Sequence, residues 1–337
     1  MWKNQGIYRT NMNTPILLIT FNRPNHVRRV LTEILKAEPQ DLYVCQDGAR
    51  EGNENDRIKC QEVRDVINEL TSPYAVAHPT FTLHTLYQPT NLGCGPGPAA
   101  GITWFFENVK QGIVMEDDCL PHPDFFGYCE ELLARYKDNE LVKFINATLY
   151  DDSWHCNNSY GFSHYMITGA WAAWRETWKG FDLDLHNMNA RAFRKHVHKL
   201  TDNYDEADWW YAKVLEIQHD TNKKSYWDFQ MQIHLFNTST ITIHPAVNLI
   251  TNIGFDEEGT HTWSDDGRAN RPVLGIMPLS HPNTISVDLD ADKAAIWAHM
   301  GSSSRLKSML KYLYVTLYYS HGIGHKLLMW YKNIKKK

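Results

Sequence analysis

Apolar and polar positions in the first third of the chain switch repeatedly between two periods. Pro15 to Phe21 is a short, nearly continuous apolar run of the kind buried on both faces of a sheet. Arg23-Pro24-Asn25 then opens a helical pattern with Val27, Val30, Leu31, Ile34 and Leu35 on one side. Asp41 to Cys45 predicts a second strand, ending in Gln46-Asp47-Gly48, and an amphipathic helix follows around Ile58 to Leu70. Phe81 to Tyr87 predicts a third strand, closed by the Gly/Pro cluster Gly93 to Gly101. A helix near Ile102 to Asn108 and a strand from Gly112 to Met115 come next, and that strand runs directly into Glu116-Asp117-Asp118. Strands alternating with helices imply an α/β protein with a mostly parallel central sheet covered on both faces. Ligands on such sheets bind beyond the carboxyl ends of the strands. Here those ends carry Asn22 and Arg23, then Gln46-Asp47-Gly48, then the carboxylate triplet.

Residues 143 to 280 are less regular and rich in Trp, His and Asp, and residues 300 to 337 read as a helical, basic tail. The 337 residues, 43% hydrophobic and 22% charged, are enough for one large α/β domain or two smaller ones. Twelve Trp and seventeen Tyr suit sugar stacking or a membrane interface, and composition does not choose between them. Charge is unevenly placed. After Asp292 there is no acidic residue, while Arg305, Lys307, Lys311, Lys326, Lys332 and Lys335 to Lys337 add eight positive charges; with −5 overall, the chain through Lys293 carries −13. So acidic a body argues against nucleic acid as a partner. The six cysteines show no CxxC pair or zinc spacing and read as reduced, mostly buried thiols of a cytosolic protein. No signal peptide is expected, because the first apolar run is too short, and no stretch reaches the length of a membrane span.

Three adjacent carboxylates at a strand end repel one another. A divalent cation shared with a diphosphate compensates them, and it would neutralise charge developing on a departing nucleoside diphosphate. A solvated acidic turn is the plainer alternative. The segment Gly112-Ile-Val-Met-Glu-Asp-Asp-Cys-Leu-Pro-His-Pro-Asp-Phe-Phe-Gly-Tyr128 resembles the metal-binding segment of N-acetylglucosaminyltransferase I-type enzymes. More widely it is similar to family 2-like GT-A glycosyltransferases, among them bacterial proteins labelled hemolysin HlpA-like. The likeness covers residues 14 to 150 well and 160 to 262 loosely.

That resemblance implies a GT-A fold over residues 1–290, with a nucleotide-sugar and metal half (14–150) and an acceptor half (151–290), followed by a basic amphipathic helical tail (291–337). It implies Mn²⁺ or Mg²⁺ on Asp118, with Asp117 beside the ribose and donor sugar and Glu116 at the donor or merely holding the turn. Thr20, Asn22 and Arg23 would border the nucleotide, and Asp47 would bond its base; a plain Asp-Gly turn is the rival for Asp47, and an ordinary surface arginine for Arg23. Gly93 to Gly101 matches no phosphate-loop pattern, its prolines lack the amide donors such loops use, and it reads as a rigid turn. Ser225-Tyr-Trp-Asp-Phe-Gln230 is similar to the tryptophan-carboxylate segment bearing the general base, which makes Asp228 the base candidate. A helix-capping aspartate is the alternative there, and the rival base lies in Asp205-Glu206-Ala207-Asp208, otherwise a solvated acidic stretch. Gly169 and Trp171 would line the donor–acceptor junction, the first by close backbone approach and the second by stacking, unless they only pack the core. His261, in Gly259-Thr-His-Thr262, is a candidate second contact to metal or pyrophosphate.

In the tail, Leu306, Leu310, Leu313 and Leu317 share a helical stripe among lysines and tyrosines. This suits either an interfacial helix on anionic lipid or a docking helix with a basic end. The expectation is an inverting hexosyl- or N-acetylhexosaminyltransferase, cytoplasmic and peripheral on the inner face of the membrane. It would use a UDP-type donor and a glycan or lipid-linked acceptor. Two other classes stay open: a catalytically silent carbohydrate-binding or surface protein of the same fold, and a sugar nucleotidyltransferase. The latter would want a glycine- and lysine-bearing N-terminal phosphate loop, which this sequence lacks.

Overall fold

The computed structural model describes residues 12–149, 154–219, 226–255, 269–293 and 305–320. In chain order they form β1 (Ile16–Thr20), α1 (Pro24–Lys36), β2 (Asp41–Gln46), α2 (Glu54–Ala77), β3 (Thr82–Tyr87), α3 (Pro96–Asn108), β4 (Gln111–Glu116), β5 (Cys119–Pro121) and α4 (Asp124–Tyr136). There follow β6 (Val142–Asn146), β7 (Tyr160–Ser163), β8 (Ala170–Trp174), the short α5 (Arg175–Trp178), α6 (Ala190–Thr201), α7 (Tyr204–His219), α8 (Asp228–Asn237), β9 (Ile241–Pro245) and β10 (Ile250–Asn252). The last described helix is α9 (Arg305–Val315), which runs into a π-helical turn, Thr316–Ser320.

The expected α/β architecture is present. Eight strands form one sheet in the order β3-β2-β1-β4-β8-β6-β9-β7. All but β7 and β8 run in one direction, as the parallel and antiparallel pairings require. Strand β8, from the second half of the chain, lies between β4 and β6, so both halves share this sheet. Period-two alternation explains why both faces are covered. Ile16 and Leu18 of β1 join the core under α1, α2 and α4, while Leu17 and Ile19 join the core under α3 and α8. Leu18 is wholly buried; cutting it to alanine would cost about 2–5 kcal/mol.

Two helices differ from the sequence pattern. Helix α3 begins at Pro96, inside the cluster expected to be a rigid turn, because prolines in the first helical turn forfeit amides that have no partner anyway. The small residues that follow let α3 lie against β2: a Cβ on Gly101 would fall 2.6 Å from Cys45 Sγ. Helix α2 starts earlier than expected, capped by Asn53, whose side chain accepts from the Asp56 amide at 3.1 Å, and it continues through Pro73.

Helices α6, α7 and α8 pack into a third apolar cluster beside the sheet, and α9 docks on it through Val315. The Tyr312 ring meets Tyr211 at 4.9 Å, Arg194 lies 4.4 Å over Tyr312, and Thr316 Oγ1 donates to Tyr211 Oη at 3.2 Å. Just before this helix in sequence, Asp292 accepts from Ser163 Oγ at 2.5 Å and the His164 amide at 2.8 Å, which ties it to the edge strand β7. No helix among the described residues is long and apolar enough to cross a membrane.

Candidate active site

The carboxyl ends of β1, β2 and β4 converge because their parallel register sets Thr20 beside Gln46 and Ile19 beside Glu116. The chain turns at Asp117-Asp118 into β5, which pairs antiparallel with β10. The Glu116 amide donates to Gly169 O at 2.8 Å, and the Ile253 amide donates to Asp118 O at 2.8 Å. The triplet is thus clamped between the start of β8 and the end of β10.

Asp118 is tightly enclosed. Its Oδ2 accepts from Arg23 at 3.1 Å and its Oδ1 from Cys119 Sγ at 3.4 Å. A Cβ on Gly254 would fall 2.3 Å from Oδ2, so only glycine leaves room for the carboxylate there. Asp117 takes the Phe21 amide at 3.4 Å and lies 3.7 Å from Arg23. Burial, then Asp118, Asp117 and Asp228, push the Glu116 carboxyl well above the usual carboxylate range, against the pull of Arg23. Asp117 is raised too, by burial first, with Arg23 opposing. Asp228, the base candidate, comes close enough to bear electrostatically on Glu116. It arrives there because the backbone of Tyr226 crosses directly over Gly95, where a Cβ would lie 2.6 Å from Tyr226 O. Asp228 opens α8, its Oδ1 accepting from the Phe229 amide at 2.9 Å.

Other expected contacts are used up inside the protein. Thr20 is buried, its hydroxyl donating to Cys45 O at 3.2 Å, so it does not face a nucleotide. Asp47 accepts from the Gly48 and Leu92 amides on Oδ1, at 2.9 and 2.8 Å. It accepts from Asn91 Nδ2 and the Gly93 amide on Oδ2, both at 3.0 Å. Four donors fill the acceptor capacity of a carboxylate, which leaves none for a base. Asp47 therefore pins the loop before α3. Asn22 donates to the fully buried Asp56 at 2.8 Å, and Arg50 grips that same carboxylate, so Asn22 sets the β1–α1 turn. Gln46, expected at the ligand edge from its place at the second strand end, is wholly buried and holds this turn by donating to Phe21 O at 2.9 Å.

Trp171 is 1% exposed, stacked on Phe144 at 4.7 Å with Trp227 6.1 Å away. It offers no face to a sugar and instead supports the residue that precedes Asp228. Gly169 adopts φ +102°, and a Cβ there would meet Cys119 Sγ at 2.8 Å, so its close approach is to the segment carrying the triplet. The rival acidic stretch is not solvated. Glu206 is buried and accepts from Tyr165 Oη, and Asp208 is buried against Arg194 Nε at 2.5 Å. His261 lies outside the described residues.

Arg23 thus faces two carboxylates, Asp117 and Asp118, with Glu116 directly preceding them in the chain. Among the described residues no three metal-ligating side chains gather into a self-sufficient metal site. One or two carboxylates completed by substrate phosphates would still suit a hard cation, and Asp118 with Asp117 fit that demand.

No family model matches this chain, and no curated protein does. Several solved structures show a slight likeness to this chain. A mannosyltransferase from Pyrobaculum calidifontis, PcManGT in complex with GDP-Man and Mn²⁺, is 13% identical with a TM-score of 0.36 over 57% of this chain. The match spans 55% of that enzyme's length. TarS 1-349 from S. aureus is 11% identical with a TM-score of 0.35, covering 67% of this chain and 71% of TarS. A 4-diphosphocytidyl-2C-methyl-D-erythritol synthase from Anaerococcus prevotii is 8% identical with a TM-score of 0.30, over 52% of this chain and 77% of its own. Likeness this slight transfers no activity to the present chain, whose α/β class rests on its own sheet.

Proposed function

We propose that the chain is a glycosyltransferase of the GT-A type, moving a hexosyl or N-acetylhexosaminyl group from a UDP-type donor to a hydroxyl of a glycan or lipid-linked acceptor. The observation that carries this reading is the meeting of Asp117, Asp118 and Arg23 beside Glu116 at the strand ends, and Asp228, which opens α8 and bears on Glu116, supports it. Open α/β sheets bind ligands at that edge.

In the proposed reaction the acceptor oxygen attacks the anomeric carbon from the side opposite the leaving group. The bond from that carbon to the diphosphate oxygen breaks, and the nucleoside diphosphate leaves with the electron pair. Asp228 takes the acceptor's proton, and direct displacement inverts the configuration. Asp117 orients the donor sugar, and Arg23 binds the diphosphate. A divalent cation, Mn²⁺ or Mg²⁺, held by Asp118 together with that diphosphate, would supply Lewis-acid stabilisation of the leaving group.

The 3.1 Å contact between Arg23 and Asp118 favours a second reading, in which the guanidinium alone stabilises the leaving diphosphate. One experiment tests both readings. Nucleotide sugars are titrated calorimetrically with Mn²⁺ and with EDTA, and donor hydrolysis is followed in parallel. Binding that needs Mn²⁺ supports the first, and equal binding in EDTA supports the second. If no nucleotide sugar binds under either condition, the transferase reading fails.

A further inference from the structure

Helix α9 and the π-helical turn that continues it have two unlike sides. Tyr312, Val315 and Tyr319 belong to the cluster shared with α7, which fixes how the helix sits. Met309, Leu310, Leu313, Tyr314 and Leu317 lie on the opposite side, 43%, 55%, 46%, 62% and 47% exposed. Their spacing puts them on one stripe of the helix, and an apolar stripe held outward by a docked opposite side is more than scattered exposure. Beside it, Trp209, Lys213, Glu216, Tyr314 and Tyr318 line a notch of about 350 Å³ between α7 and α9. Trp and Tyr of this kind settle at the headgroup level of bilayers. The one carboxylate of the notch is neutralised, since Lys213 Nζ lies 2.9 Å from Glu216.

Charge identifies the occupant. The chain through Lys293 carries −13, whereas the part containing α9 has eight lysines and arginines and no acid. A nucleic acid would leave such an apolar stripe without a complement. An anionic bilayer offers apolar depth and negative headgroups together. We infer that the outward face of α9 docks the protein on anionic phospholipid, with Leu310, Leu313 and Leu317 entering the acyl boundary and the notch tyrosines lying at headgroup level. This inference stands apart from the catalytic reading and needs no activity for its test.

The full chain is floated with vesicles of phosphatidylcholine alone and with vesicles containing 30% phosphatidylglycerol, at low and high salt. Binding is expected only to the anionic vesicles and is expected to weaken with salt. The variant Leu310→Glu/Leu313→Glu/Leu317→Glu changes only outward positions and should keep the wild-type melting curve. Its partition coefficient should fall roughly a hundredfold, as expected for three half-exposed leucines that no longer enter lipid. Two results overturn the inference: no binding of the wild type to anionic vesicles, or full binding by the triple variant. A wild-type dimer in sedimentation that the triple variant dissolves would overturn it too, by assigning the face to a second copy.

Discussion

Replacing Gly254 with alanine tests whether Asp118 is held in place by the absence of a side chain opposite it. A Cβ at this position would lie 2.3 Å from Oδ2 of Asp118, 2.9 Å from its Cβ and 3.0 Å from its Cγ. Either Asp118 rotates and loses Arg23, or the β5–β10 pair opens and stretches the bond from the Ile253 amide to Asp118 O. Overpacking costs about 1–3 kcal/mol. The charge-assisted bond to Arg23 adds about 1 kcal/mol, taken low because both side chains keep some solvent contact. At about 2–4 °C per kcal/mol for a domain of this general size, Tm should fall by about 5–15 °C. Nucleotide-sugar affinity should drop about tenfold or more, equivalent to about 1.4 kcal/mol. A double-mutant cycle makes the inference sharp. In an Asp118→Ala background only the 2.9 Å contact with Cβ survives, so the alanine at 254 should cost at least about 1 kcal/mol less than in the wild type. Strictly additive losses of Tm, or unchanged donor affinity in the single variant, would refute this view of Asp118.

Further expectations can be checked with the same preparations. Asp228→Asn should leave nucleotide-sugar binding within about twofold in calorimetry while cutting transfer by about 10²–10⁴, the usual worth of a general base. Unchanged turnover would remove Asp228 from that role. Asp47→Ala should strip four donors of their acceptor and lower stability by about 3 kcal/mol in a denaturant titration; a negligible change would mean that the loop before α3 does not depend on it. Glu206, pushed up to about 7 chiefly by burial, gives a pH test. Its folded pKa exceeds its unfolded one, so its contribution is fully present below about pH 4 and is lost as pH rises through 7. Glu206→Gln keeps an acceptor for Tyr165, so its Tm should exceed the wild type at pH 8, by at most about 3 kcal/mol of stability, and the gap should close at pH 5. A constant gap between the two pH values would contradict that linkage.

Much of the first third is legible in the sequence because its elements follow the two periods of strand and helix, and burial on α1 falls on Val27, Val30, Leu31 and Ile34 as the pattern requires. Helix α3 is misread at its start because proline and glycine signal turns in isolation, whereas in a first helical turn they cost little. The strands of the second half, three to five residues long, give too few positions for a period to show, and their order in the sheet departs from their order in the chain. The edge to which the proposed site is assigned is readable from where the triplet falls relative to a strand. What each side chain does there depends on remote partners. Nothing near Asp47 in sequence announces Asn91, Leu92 and Gly93, which fill its oxygens, and nothing near Gly254 announces Asp118. Trp171 shows the same limit, since a stacking platform and a core aromatic have one chemistry and differ only in what covers them.

The notch between α7 and α9 adjoins a run of ring contacts that leads to the start of α8. Tyr314 and Tyr318 face Trp209 and Lys213 across the notch, Lys213 Nζ lies 4.5 Å over the Phe229 ring, and Trp209 meets that ring at 5.8 Å. Phe229 is the residue after Asp228, and Tyr226, two residues before it, packs on the same ring at 5.3 Å. The strand ends carrying Asp117 and Asp118 are braced by Gln46, Asp56 and the β5–β10 pair. The carboxylate triplet is thus fixed by the sheet, whereas Asp228 follows a residue packed on Trp171 of that sheet and precedes one packed on Trp209 of α7.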